Sequence, residues 1–149
     1  MVNSQKTRNK FVYHHNNNNK YLKKLNLPLV KYIESGFLTV NNVLEELNLP
    51  LVEKIGSEFL FYNESLTSIS LPSVKNIGSK FMKNSILTNI NLPLVESIDR
   101  EFLEENRRLE SINLPLVTFV GNSFLGNNQY INSVDLPMVE HIGSNFLKS

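Results

Sequence analysis

All six prolines of this chain belong to one dipeptide, Leu-Pro, at Pro28, Pro50, Pro72, Pro93, Pro115 and Pro137. Successive prolines are 22 residues apart, except for one step of 21 between Pro72 and Pro93. A fixed period in this range marks a solenoid, in which each unit buries its apolar face only by stacking on its neighbours. The period therefore takes precedence over any residue-by-residue assignment of secondary structure.

Counting from each proline resolves the unit into columns. Leu stands one before it and Val two after it in all six repeats (Leu27 and Val30 in the first, Leu136 and Val139 in the last). Five after it stand Ile33, Ile55, Ile77, Ile98, Val120 and Ile142, and nine after it Phe37, Phe59, Phe81, Phe102, Phe124 and Phe146. Aliphatic residues recur three before (Leu25, Leu47, Ile69, Ile90, Ile112, Val134) and six before (Leu22, Leu44, Leu66, Leu87, Leu109, Ile131). The unit is L-x-x-I-x-L-P-x-V-x-x-I-G-x-x-F-L. Its first half alternates as a short strand with one buried face does, and equivalent strands stack in parallel at roughly 4.7–4.9 Å. Proline cannot donate to the ladder, so it closes the strand. The return segment is too short for a long helix and predicts tight turns, 3₁₀ pieces or small bridges. The Phe column predicts an internal spine of stacked rings.

Two polar columns read as structural. Gly56, Gly78, Gly121 and Gly143, six after the proline, mark either a positive φ or a close backbone approach, with Glu34 and Asp99 in their place in two repeats. Asn41, Asn63, Asn106 and Asn128, thirteen after it, offer amides that satisfy turn backbone groups among apolar neighbours.

The combination of Leu-Pro with I-G-x-x-F resembles the BspA-like class of leucine-rich repeat over about residues 22–147. That class carries Ala-Phe where this chain has Phe-Leu or Phe-Met, and a turn Cys that is absent here. The resemblance implies a leucine-rich repeat solenoid, right-handed, with short parallel strands on the concave side and about six 22-residue repeats. It implies protein–protein contact, often at cell surfaces, and no catalytic site.

Composition narrows the function classes. Residues 21–149 read as one repeat domain preceded by an Asn-rich arm, 1–20. Of the 15 basic residues six lie within positions 1–24, where no acidic residue occurs, so the remainder of the chain is net acidic. The arm reads as a degenerate first repeat capping the solenoid, since Phe11 falls on the Ile column and Asn19 on the Asn column. Nucleic acid is the weaker reading of its charge. Asn16–Asn19 reads as a flexible loop. The chain has no Cys, hence no disulfide and no thiolate metal site, which fits a reducing compartment. No apolar run suggests a membrane span, and the first residues lack a secretory signal. His14-His15 and His141 do not make a metal site, no cofactor motif is present, and no nucleophile–base arrangement suggests an enzyme. Arg107-Arg108 beside Glu104-Glu105 read as a charged loop, solvated or mutually paired.

What remains is binding. Two candidate surfaces emerge. One is the outward strand column two before the proline, Asn26, Asn48, Ser70, Asn91, Asn113 and Asp135, which reads equally as a hydrogen-bonded ladder or a partner face. The other is the residue after the proline: Leu29, Leu51, Ser73, Leu94, Leu116 and Met138. This column lies either exposed along one rim, where an apolar stripe marks an interface, or tucked beneath the proline turn. Partner-binding candidates are therefore Leu29, Leu51, Leu94, Leu116 and Met138 with Asn26, Asn48, Asn91 and Asn113. The alternative is a structural or self-associating repeat protein, joined through a C-terminal end that carries no capping helix after Phe146-Leu147-Lys148-Ser149.

Overall fold

The computed structural model describes residues 10–11 and 20–148. Among them the chain winds as a parallel β-solenoid without helices, and two columns of strands run along it. Three-residue strands precede the prolines: Lys24–Asn26, Glu46–Asn48, Ser68–Ser70, Asn89–Asn91, Ser111–Asn113 and Ser133–Asp135. They pair in register, Leu25 beside Leu47, Ile69 beside Ile90 and Ile112 beside Val134, forming three two-stranded ladders.

The return segment carries the more continuous ladder. Two-residue strands at Lys10–Phe11, Tyr32–Ile33, Lys54–Ile55, Asn76–Ile77, Ser97–Ile98, Phe119–Val120 and His141–Ile142 join into one seven-stranded sheet. Of the alternatives predicted for this segment, bridges form, and no 3₁₀ turn occurs among the described residues. The cause is local. The β-branched residue five after the proline is buried in the interior repeats and fits a pleated strand. The following amide then donates to the equivalent carbonyl one coil earlier, as Gly56 N–H does to Ile33 O at 2.8 Å and Gly78 N–H to Ile55 O at 2.9 Å. Phe11 pairs with Ile33, the column on which its phase places it. Residues 1–9 and 12–19 of the arm, including His14-His15 and Asn16–Asn19, lie outside the described residues.

The glycines after this strand serve close approach. A Cβ at Gly78 would sit 2.7 Å from Gly56 C and Ser57 N, and one at Gly143 would sit 2.6 Å from Asn122 N. The left-handed conformation falls elsewhere, at positions eight, ten and twelve after the proline, and mostly on residues other than glycine. In the second repeat these are Glu58, Leu60 and Tyr62, with φ of 60°, 50° and 55°. Each such residue costs about 1–2 kcal/mol in that conformation. Inter-coil hydrogen bonds offset the cost: Glu58 and Tyr62 N–H donate forward to Ser79 O and Lys83 O, and Leu60 N–H donates backward to Phe37 O. Burial of the middle residue (Leu60, Met82, Leu103, Leu125) adds to them.

The core is the set of apolar columns. The Phe rings stack along the whole array at centroid distances of 5.3–5.9 Å with near-parallel planes. The Asn column is buried beside them. Asn63 Oδ1 accepts from the Leu66 N–H at 2.8 Å, while its Nδ2 donates to Asn41 O. In the 21-residue repeat Ser85 replaces Asn. Its hydroxyl donates to Met82 O and accepts from Asn106 Nδ2 at 2.9 Å, so the polar thread continues through the shortened coil.

Candidate functional site

The residue after each proline is placed by the turn that proline makes. Val30 N–H closes on Leu27 O and Val117 N–H on Leu114 O, so Pro28 and Pro115 occupy the second position of a four-residue turn and Leu29 and Leu116 the third. None of these third residues has positive φ, which fits a type I turn. At such a corner the side chain points away from the chain on either side. The column is accordingly exposed, not tucked: Leu29 72%, Leu51 43%, Leu94 40%, Leu116 42% and Met138 56%. Ser73 interrupts the stripe, its hydroxyl donating to Pro50 O at 2.9 Å.

A charged column borders the stripe, two residues further on and across the buried Val. It reads Lys31, Glu53, Lys75, Glu96, Thr118 and Glu140. Lys31 Nζ lies 3.0 Å from Glu53 Oε1, and Lys75 Nζ 3.8 Å from Glu96 Oε1. The hydrogen bond and the charge of Glu53 hold the Lys31 ammonium above the usual lysine value, and the same contact holds Glu53 below the usual carboxylate range. Beyond it an outward column carries Tyr32, Lys54, Asn76, Ser97, Phe119 and His141, with Phe119 and His141 stacked at 4.7 Å and 4°. Neither these alternating charges nor the exposed aromatics beyond them figure among the candidates drawn from the sequence. Alignment on the proline displays that alternation directly.

The strand face is largely occupied with itself. Asn48 Nδ2 donates to Asn26 Oδ1 at 2.9 Å, and Asn91 Nδ2 to Ser70 Oγ at 3.3 Å. Lys23 pairs with Glu45 and Lys24 with Glu46 across neighbouring strands. Asn113 stands beside Asp135 in register.

Other candidates sort plainly. Glu104 pairs at 2.8 Å with Lys83 of the preceding coil, and not with Arg107 or Arg108, which point outward. Lys83 also holds Glu101 at 3.0 Å. Burial pulls the Lys83 ammonium down, but hydrogen bonds to Glu104 and Glu101 outweigh it and hold its pKa above the usual lysine value. Phe61 and Tyr62 form an edge-on pair at 4.3 Å, with the Lys80 ammonium 5.9 Å from the Phe61 ring. His141 is committed to Phe119. Among the described residues no cluster of three or more His, Asp and Glu is arranged to hold a metal ion, and no helix is long and apolar enough to cross a membrane.

Neither the curated proteins nor the solved structures yield a match to this chain. The model of the BspA type leucine-rich repeat region matches it in six copies across residues 31–149. Its columns, its parallel coils and this match together place the chain in the BspA-type leucine-rich repeat family.

Proposed function

We propose that the protein is a non-enzymatic protein–protein interaction module that engages its partner through the apolar rim. The carrying observation is the exposure of five large apolar side chains in a single column, in every coil but that of Ser73. At the strand pitch they form a line roughly 24 Å long over five steps. Isolated exposed leucines need no explanation, whereas an apolar stripe bordered by charge, broken only at Ser73, is how interaction surfaces are built. The strand face supports this choice by contrast, since its amides and ions are turned toward one another across the coils. Family membership fits a repeat module used for protein contact.

Affinity capture from the native cell tests the reading. The double variant Leu51→Glu/Leu94→Glu is expected to keep its thermal midpoint and lose the protein retained by wild type. Undiminished retention would overturn the rim as the site. The second reading, a structural or self-associating repeat, draws on the last coil. There Ile131, Leu136 and Val139 are only partly buried and Ile142 is 46% exposed, although the same columns are buried in the interior repeats. It predicts assemblies that persist in the rim variant.

A further inference from the structure

We propose that the occupant of the rim is a second copy of this chain, lying alongside the first with the two solenoid axes antiparallel. The proposal rests on the rim being an interface and adds the identity and direction of what sits there.

Pitch is the first argument. The rim side chains repeat at the strand spacing, roughly 4.7–4.9 Å. A helix laid along the rim repeats every 5.4 Å and slips by about 3 Å over five coils. A second solenoid of the same chain stays in step at every coil.

Charge order supplies the direction. The column bordering the rim runs Lys31, Glu53, Lys75, Glu96, Thr118, Glu140. Under a twofold axis perpendicular to the solenoid, the first coil of one copy faces the last of the other. Lys31 then meets Glu140, Lys75 meets Glu96, and Glu53 meets the uncharged Thr118. No like charges meet. Copies running in the same direction would be related by a twofold axis along the solenoid, which carries their charged columns to opposite sides of the rim, where none of these pairs forms. The remaining columns agree with the antiparallel arrangement. Leu29 faces Met138, Leu51 faces Leu116, and Ser73, whose hydroxyl is already bonded to Pro50 O, leaves room opposite Leu94. Lys54 comes opposite Phe119, a cation facing an exposed ring. The contact is isologous and closes as a dimer.

A strip six coils long and a few columns wide lies at or below the ~800 Å² per partner of a standard interface, the size range of weak, transient contacts.

The test uses the full chain, which has no native cysteine. Sedimentation equilibrium from about 10 µM to about 1 mM should show a monomer–dimer equilibrium. Glu140→Lys should weaken it several-fold, and Lys31→Glu/Glu140→Lys should restore it. Under mild oxidation Leu94→Cys, beside the axis, should form a disulfide-linked dimer. Leu29→Cys alone should not, because its two copies lie roughly 24 Å apart, whereas Leu29→Cys mixed with Met138→Cys should cross-link. A monomer at every concentration overturns the proposal, and so does Leu29→Cys pairing with itself. If the protein stays monomeric while Leu51→Glu/Leu94→Glu still abolishes partner capture, the rim stands as an interface and the second copy is excluded.

Discussion

Asn63 donates its side-chain amide to the main-chain carbonyl of Asn41, one coil earlier, at 2.5 Å, and both residues are buried. The same side chain accepts from the Leu66 and Ser65 amides. A single residue thus ties a turn to itself and to its neighbour. Asn63→Ala strands two amides and a carbonyl in the interior, and should cost about 2–3 kcal/mol. Asn42→Ala, exposed next to the same column, should change stability by less than about 0.5 kcal/mol. Urea unfolding of both variants makes the comparison.

The ring spine gives a second expectation. Phe81 stacks on Phe59 and on Phe102, at 5.3 Å each, and is fully buried. Phe81→Ala opens a cavity between two coils and should cost about 3–5 kcal/mol. Phe81→Leu retains most of the volume and should cost under about 2 kcal/mol. Because each coil touches only its neighbours, local hydrogen exchange should rise most at adjacent coils.

Two glycines should respond in a set order. At Gly78 an added Cβ meets only backbone of the previous coil, at 2.7 Å, so Gly78→Ala must push coils apart and should cost about 2–3 kcal/mol. Gly36 has φ of 78° and open space around it, so Gly36→Ala should cost only about 1 kcal/mol. Thermal midpoints of the two variants should keep that ranking.

How much of this was legible in the sequence depends on what kind of signal each residue leaves. The columns of Val74, Ile77 and Phe81 could be read because a buried position repeats one residue type coil after coil. The left-handed positions could not. Glu58, Lys80, Glu101, Ser123 and Asn145 share one conformation and no common chemistry, because inter-coil hydrogen bonds impose it and the side chains do not. Gly78 showed that space was needed but not which kind. On the rim, the sequence displayed Leu51 and Leu94 but left their exposure open, since a type I and a more buried proline turn begin with the same Leu-Pro.

The pH dependence of stability should follow the ion pairs. The carboxylates of Glu45 and Glu53 are held below their ordinary value of 4.5 by Lys23 and Lys31. Their contribution is therefore present above that value and is lost as pH falls through the lowered one. Lys83 is held above its ordinary 10.5, so its contribution is complete below that value and is lost as pH rises through the raised one. Lys83→Met should flatten the alkaline limb of the urea midpoint against pH, and Glu53→Gln the acid limb.

Side-chain oxidative footprinting of the chain in its captured complex, against the chain alone, puts the question of the interface most directly. The account predicts protection of Leu51, Leu94, Leu116 and Met138, with the strand face at Ser68, Asn89 and Ser111 unchanged. Protection confined to the strand face, with the rim as reactive as in the free chain, would contradict it.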